Sequence, residues 1–138
     1  MATQVKIRNA LESRIAVFAA SKSVPVAVEN KSFTPTGDYI EVSLFPAATK
    51  DPSFGALHKR YSGIFRVVYY STGLNKGMAA IETLADEIVN LFPRGLAITK
   101  DDVVVNIETT PTQSGPGFMN GYIFVAVSAY YRTDVITN

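Results

Sequence analysis

The chain has 138 residues, enough for one domain that buries roughly 68% of its unfolded surface without a metal or disulfide. Hydrophobic residues make up 47% and charged residues 18%, which excludes disorder beyond loops and termini. A net charge of +1 leaves no basic excess for non-specific phosphate binding, and the absence of cysteine removes disulfides, thiolate zinc sites and cysteine nucleophiles.

Residues 3–20 are expected to form a helix, because Ile7, Leu11, Ile15 and Phe18 fall on one face. Thr3 is its expected N-cap, and Pro25 blocks its continuation. Charges at Lys6, Arg8, Glu12 and Arg14 interrupt any signal-peptide core, so no signal peptide is expected. No apolar run in the chain approaches the roughly 18 residues of a membrane span.

Residues 24–30 read as a short strand that Pro25 places at an edge or a strand start. Residues 39–45 alternate, with Ile40, Val42 and Leu44 opposite Tyr39, Glu41, Ser43 and Phe45. Residues 46–61 read as a long loop broken by two prolines and a glycine. A strand at 63–71 sets Phe65, Val67 and Tyr69 against Ile64, Arg66, Val68 and Tyr70. A second helix is expected over 76–92, capped by Asn75, with Met78, Ile81, Ala85, Ile88 and Phe92 as its buried stripe. Strands at 95–99 and 103–109 follow, then a loop, "TPTQSGPGFMNG", and a final strand at 121–132.

This order predicts an α+β protein: one domain over residues 1–138, built on a single mixed, mostly antiparallel β-sheet with two helices packed on one face. Two helices cannot cover both faces of such a sheet. On the last strand Ile123, Val125, Val127 and Ala129 are aliphatic, whereas Tyr122, Phe124, Ser128, Tyr130 and Arg132 are aromatic or polar. The aliphatic set is assigned to the core. The other face, with Arg66 and Tyr70, has the composition of a protein–protein interface; a solvated face with ordinary aromatic cross-strand pairs is the plainer reading.

Site chemistry is sparse. Gly73-Leu-Asn-Lys-Gly77 lacks the order of a phosphate loop, since Lys76 precedes the second glycine, and a strand-to-helix turn explains it. The lone histidine, His58, is read as a solvated loop residue, and no G-x-S-x-G elbow surrounds Ser62. Asp101-Asp102 and Asp86-Glu87 are neighbours that diverge, not ligand pairs. No catalytic residue, cofactor site or metal site is expected. Lys50, His58, Lys59 and Arg60 sit in the long loop, where the plain reading is solvent and the functional one is contact with another protein subunit. Stacking of nucleic acid on Tyr61, Tyr69 and Tyr70 is disfavoured by the neutral net charge.

The segments "IRNALESRIA", "YSGIFRVVYY", "GMAAIETLADEIVNLF" and "YIFVAVSAYYR", in this order, resemble the tail-terminator family of long-tailed bacteriophages in its lambda-like form. The resemblance spans nearly the whole chain. It implies a structural virion protein with no reaction and no cofactor. It further implies a homohexameric ring that caps the tail tube, ends tube polymerisation and provides the head–tail joining surface. The implied partners are other copies of the chain, the tail tube protein and a head–tail connector protein. The resemblance also implies that no membrane is involved, that DNA only passes through the ring, and that assembly takes place in the host cytoplasm. The family has no short motif that carries functional residues over. The expected subunit or tube interface therefore rests on the residues themselves: Lys50, His58, Lys59, Arg60, Arg66, Tyr70, Tyr122, Phe124, Tyr130 and Arg132. Alternatives are another phage neck or tail protein, such as a connector or tube subunit, or a small ligand-binding domain with His58 beside a carboxylate in a polar pocket.

Overall fold

The computed structural model describes residues 3–29, 37–52, 55, 57–72, 78–119 and 121–136. Helix α1 spans Thr3–Lys22 and buries Ile7, Ala10, Leu11, Ile15, Phe18 and Ala19 along one stripe. Thr3, expected as the cap, is instead the first helical residue. The helix runs past residue 20 because Ser23 adopts a left-handed conformation (φ 57°) that closes its C-terminus. There the Val24 N–H donates to Ala19 O at 3.0 Å and the Ser23 N–H to Ala20 O at 3.2 Å.

Helix α2 spans Ala79–Leu91 and is shorter than the sequence suggests. Ile81, Ala85 and Ile88 are buried, and Phe92, the C-cap, continues the stripe. Met78, expected in that stripe, is the N-cap residue and is exposed. Asn75 and the turn at 73–77 lie outside the described residues.

Among the described residues the strands are β1 (Val26–Ala27), β2 (Tyr39–Pro46), β3 (His58–Ser71), β4 (Ala97–Lys100), β5 (Val103–Ile107), β6 (Thr112–Met119) and β7 (Tyr122–Ile136). They form one curled, mixed sheet in the order β1-β2-β3-β7-β5-β4, with β6 also paired to β7. Only the β1–β2 pairing is parallel. The long β7 is the spine: β3 lines one side, while β5 and β6 share the other.

Three expectations are corrected. The strand at 24–30 shrinks to two residues, because Glu29 turns its carboxylate onto the Leu44 N–H and replaces the next backbone rung. The long loop ends before His58, since β7 runs on to Ile136 and supplies ladder partners for His58, Lys59 and Arg60. The breaker-rich segment after Pro111 is the strand β6. It holds Gly115, Pro116 and Gly117 at a bulge, where its register on β7 shifts. An edge strand tolerates proline because its outer N–H groups need no partner.

Buried side chains of α1 and α2 join Ile40, Val42, Leu44, Phe65, Val67, Tyr69, Val103, Val105, Ile107, Ile123, Val125, Val127, Ala129 and Tyr131 in one cluster. Phe65 and Phe92 meet edge to face at 5.7 Å between ring centres. Gly63 lets the end of β2 approach β3: a Cβ there would lie 2.9 Å from Pro46 Cα and 2.7 Å from the Tyr131 hydroxyl. At the far end of β3, Asp38 accepts from the Thr72 N–H at 2.9 Å and the Thr72 hydroxyl at 3.0 Å, tying the start of β2 to the end of β3. Burial, with the nearby Asp38 charge adding to it, pushes the Tyr69 phenol up to about 12.

Candidate assembly interface

Strand alternation sends a second set of side chains to the face away from the main core. On β3 these are His58, Arg60, Ser62, Ile64, Arg66, Val68 and Tyr70. On β7 they are Ile136, Asp134, Arg132, Tyr130, Ser128, Ala126, Phe124 and Tyr122, and on β2 they are Tyr39, Glu41, Ser43 and Phe45. The register stacks them in rows: Tyr39–Tyr70–Phe124, Glu41–Val68–Ala126, Ser43–Arg66–Ser128 and Phe45–Ile64–Tyr130, then Ser62–Arg132 and Arg60–Asp134.

One end of this face is aromatic and packs on itself. Tyr39 and Tyr70 are stacked, 4.5 Å between ring centres and 10° between planes. Tyr122 meets Tyr39 edge-on at 5.5 Å, and Phe124 meets Tyr70 at 5.6 Å. Val68, Tyr70 and Ala126 are buried beneath Tyr39, Tyr122 and Phe124 as a second, smaller cluster. Burial raises the Tyr70 phenol, and Glu41 and Tyr39 raise it further, against a lowering by Arg66. Tyr70 is only 6% exposed, so its side chain is already spent on its own chain. The sequence could not show this, because the covering Tyr39 lies far away along the chain.

The opposite end is charged. Asp134 accepts from Arg60 Nε at 2.8 Å and pairs with His58 Nε2 at 2.9 Å. Its other oxygen lies 3.3 Å from Arg132 Nε, which is itself 3.9 Å from Glu108. Partial burial alone would raise the Asp134 carboxyl. Hydrogen bonds from Arg60 and His58 and the charges of Arg60 and Arg132 outweigh it and hold the group below its ordinary value. His58 is therefore neither in a loop nor without a partner. Its carboxylate is shared with two arginines, the arrangement of an ion-pair network and not of a dyad that orients a base. Strand parity also splits the basic cluster: Lys59 is exposed but points to the face opposite His58 and Arg60.

Between the two ends lies an open cleft of about 480 Å³. It gathers Lys50, Arg60, Tyr130 and Arg132 from the expected interface. Phe45, Ile64 and Glu108 line it as well, and these the sequence reading had not singled out. The signal for Phe45 was its place on the polar side of β2. Phe45 is 50% exposed and Tyr130 is 49% exposed, so the middle row offers apolar surface to solvent. Arg66 stands exposed beside that row. Among the described residues neither Arg66 nor Lys50 has a carboxylate within ion-pair distance. His58 and Asp134 do not line the cleft, and no group of three His, Asp or Glu side chains among the described residues could hold a metal ion.

The second face of this α+β sheet is thus partly apolar, at Phe45, Ile64 and Tyr130, and carries Arg60, Arg66 and Arg132. The chain belongs to the phage tail terminator family: the family model, described as phage tail terminator protein, matches residues 6–131. It is thus a phage tail structural protein, from a structural, non-enzymatic family of virion components. Seven chains of solved structures match it. One of them, known by a sequence identifier alone, is 28% identical and superposes with a TM-score of 0.79 over 96% of each chain. No curated protein matches. No helix among the described residues is long and apolar enough to cross a membrane.

Proposed function

We propose that residues 1–138 act as one domain, with both helices on one face of the sheet, and that six copies close into a ring. The ring caps the tail tube, stops addition of tube subunits and presents the surface that joins the head. Its partners are its own copies, the tail tube protein and a head–tail connector protein; DNA passes through its lumen. Assembly takes place in the host cytoplasm.

The observation that carries this reading is the Phe45–Ile64–Tyr130 row, apolar and half-exposed on the sheet face that the main core does not use. Edge pairing is a poor route to assembly here. On the β2 edge, β1 is two residues long, Glu29 occupies the Leu44 N–H and Pro46 has none to offer; on the other side Pro116 interrupts β6, and the terminal strand β4 is only four residues long. Contact through faces remains. Light scattering across a concentration series, with electron microscopy of the same samples, tests the ring. Closed six-membered particles are expected, and a monomer at every concentration would contradict it.

A further inference from the structure

A ring needs two different patches on each subunit, one meeting the other on the next copy. The outer sheet face supplies one. The second is on α2, whose residues Ile81, Ala85 and Ile88 are turned into the core, so that its far side points away from the sheet. Along one flank of the helix, beside the buried stripe, Met78, Glu82 and Asp86 recur every fourth residue, all exposed. The helix carries acidic residues and no Lys or Arg. Glu87 is paired with Lys22 at 2.7 Å, but among the described residues Glu82 and Asp86 have no cationic partner.

Resting on the ring reading above, we propose that the Met78–Glu82 turn of α2 in one copy seats on the outer sheet face of the next, with Glu82 against Arg66 and Met78 against Phe45 and Tyr130. Charge and spacing both support this match. Each side holds an unpaired charge next to apolar surface, Glu82 beside Met78 and Arg66 beside Phe45 and Tyr130, of opposite sign across the contact. Met78 and Glu82 are one helical turn apart, roughly 6 Å. The Phe45–Ile64–Tyr130 row and the Arg66 row are one side-chain repeat apart on the strands, roughly 6.8 Å. The same spacing brings Asp86 onto the next row, Glu41–Val68–Ala126, so α2 must cross at an angle that takes Asp86 to the Ala126 side, away from Glu41. The two patches are different surfaces of one subunit, so the contact is head-to-tail and propagates from copy to copy, which the ring reading closes at six.

Charge exchange tests the pairing. Arg66→Glu alone and Glu82→Arg alone are each expected to raise the concentration needed for half-assembly at least tenfold. Mixed one to one, they are expected to return to the wild-type value as alternating rings, because each contact then pairs opposite charges. Both side chains are exposed, and circular dichroism checks that the variants are folded. The cysteine-free chain also permits a second measurement. Under mild oxidation Met78→Cys/Tyr130→Cys is expected to give a covalent ladder up to six subunits, whereas either single variant stops at dimers. If wild type assembles while the charge variants assemble equally well, or the mixture stays dissociated and no ladder forms, this contact is wrong and the ring stands. If wild type itself never assembles, both fall.

Discussion

Arg60 Nε donates to Asp134 Oδ1 at 2.8 Å, between residues directly paired across the β3–β7 ladder. The bond pins the third rung from the end of the two longest strands, near where a ladder would otherwise fray. Asp134→Asn should cost about 1 kcal/mol at neutral pH, the scale of a partly exposed, hydrogen-bonded ion pair. The folded pKa of Asp134 is depressed, so its contribution is complete above the unfolded value and is lost as pH falls through the folded one. Denaturant unfolding of both proteins should show a gap at pH 7 that closes below about pH 4. A constant gap would show that Asp134 contributes through packing instead of charge.

Tyr70 and Tyr130 sit on the same face but are expected to respond differently. Tyr70 is covered by Tyr39 and Phe124, so Tyr70→Asp puts a carboxylate into an aromatic cluster and should cost about 3 kcal/mol of folding stability or more. Tyr130 is half-exposed beside Ile64, so Tyr130→Asp should change stability by less than about 1 kcal/mol while suppressing assembly. Melting curves and light scattering on the same samples separate the two effects. Equal loss of folding in both variants would mean that the Tyr130 row is part of the core.

Gly63 leaves no room for a Cβ between the end of β2 and the Tyr131 hydroxyl. Gly63→Ala should lower stability by about 2–3 kcal/mol, because the new methyl would meet the β2 backbone at Phe45 and Pro46 and the Tyr131 hydroxyl. Denaturant unfolding gives the value directly. An unchanged midpoint would show that the end of β2 can move away freely.

Glu29 closes the β2 edge by occupying the Leu44 N–H, and Arg8 holds it there at 2.9 Å. Hydrogen bonds and the Arg8 charge lower its pKa although burial opposes them. Glu29→Ala should cost about 1 kcal/mol and leave an open strand edge. Slow, irregular aggregation on warming, distinct from closed rings by microscopy, is the expected sign. A variant as soluble as wild type would show that the edge is already closed without it.

Local pattern carried much of this fold. The α1 stripe, the Ile81–Ala85–Ile88 face of α2 and the alternation of β2, β3 and β7 all follow from residue spacing, and so does the division of β7 into two faces. What sequence could not supply was long-range pairing. His58 looked like a loop residue because its ladder partner, Ile136, and its ion partner, Asp134, lie at the other end of the chain. The β6 strand was hidden because Gly115, Pro116 and Gly117 signal a turn unless a long neighbour is there to template an edge strand. Tyr70 read as an interface residue because nothing local reveals that Tyr39 stacks on it. The apolar middle of the cleft depends on bringing Phe45, Ile64 and Tyr130 into one row, which is a matter of register.

The most direct measurement of the central claim is electron microscopy of purified tail tubes mixed with the protein. One ring should bind at a single tube end, and tubes so capped should stop growing when free tube subunits are added. Incorporation along the tube wall, or capped tubes that keep lengthening at that end, would contradict the account.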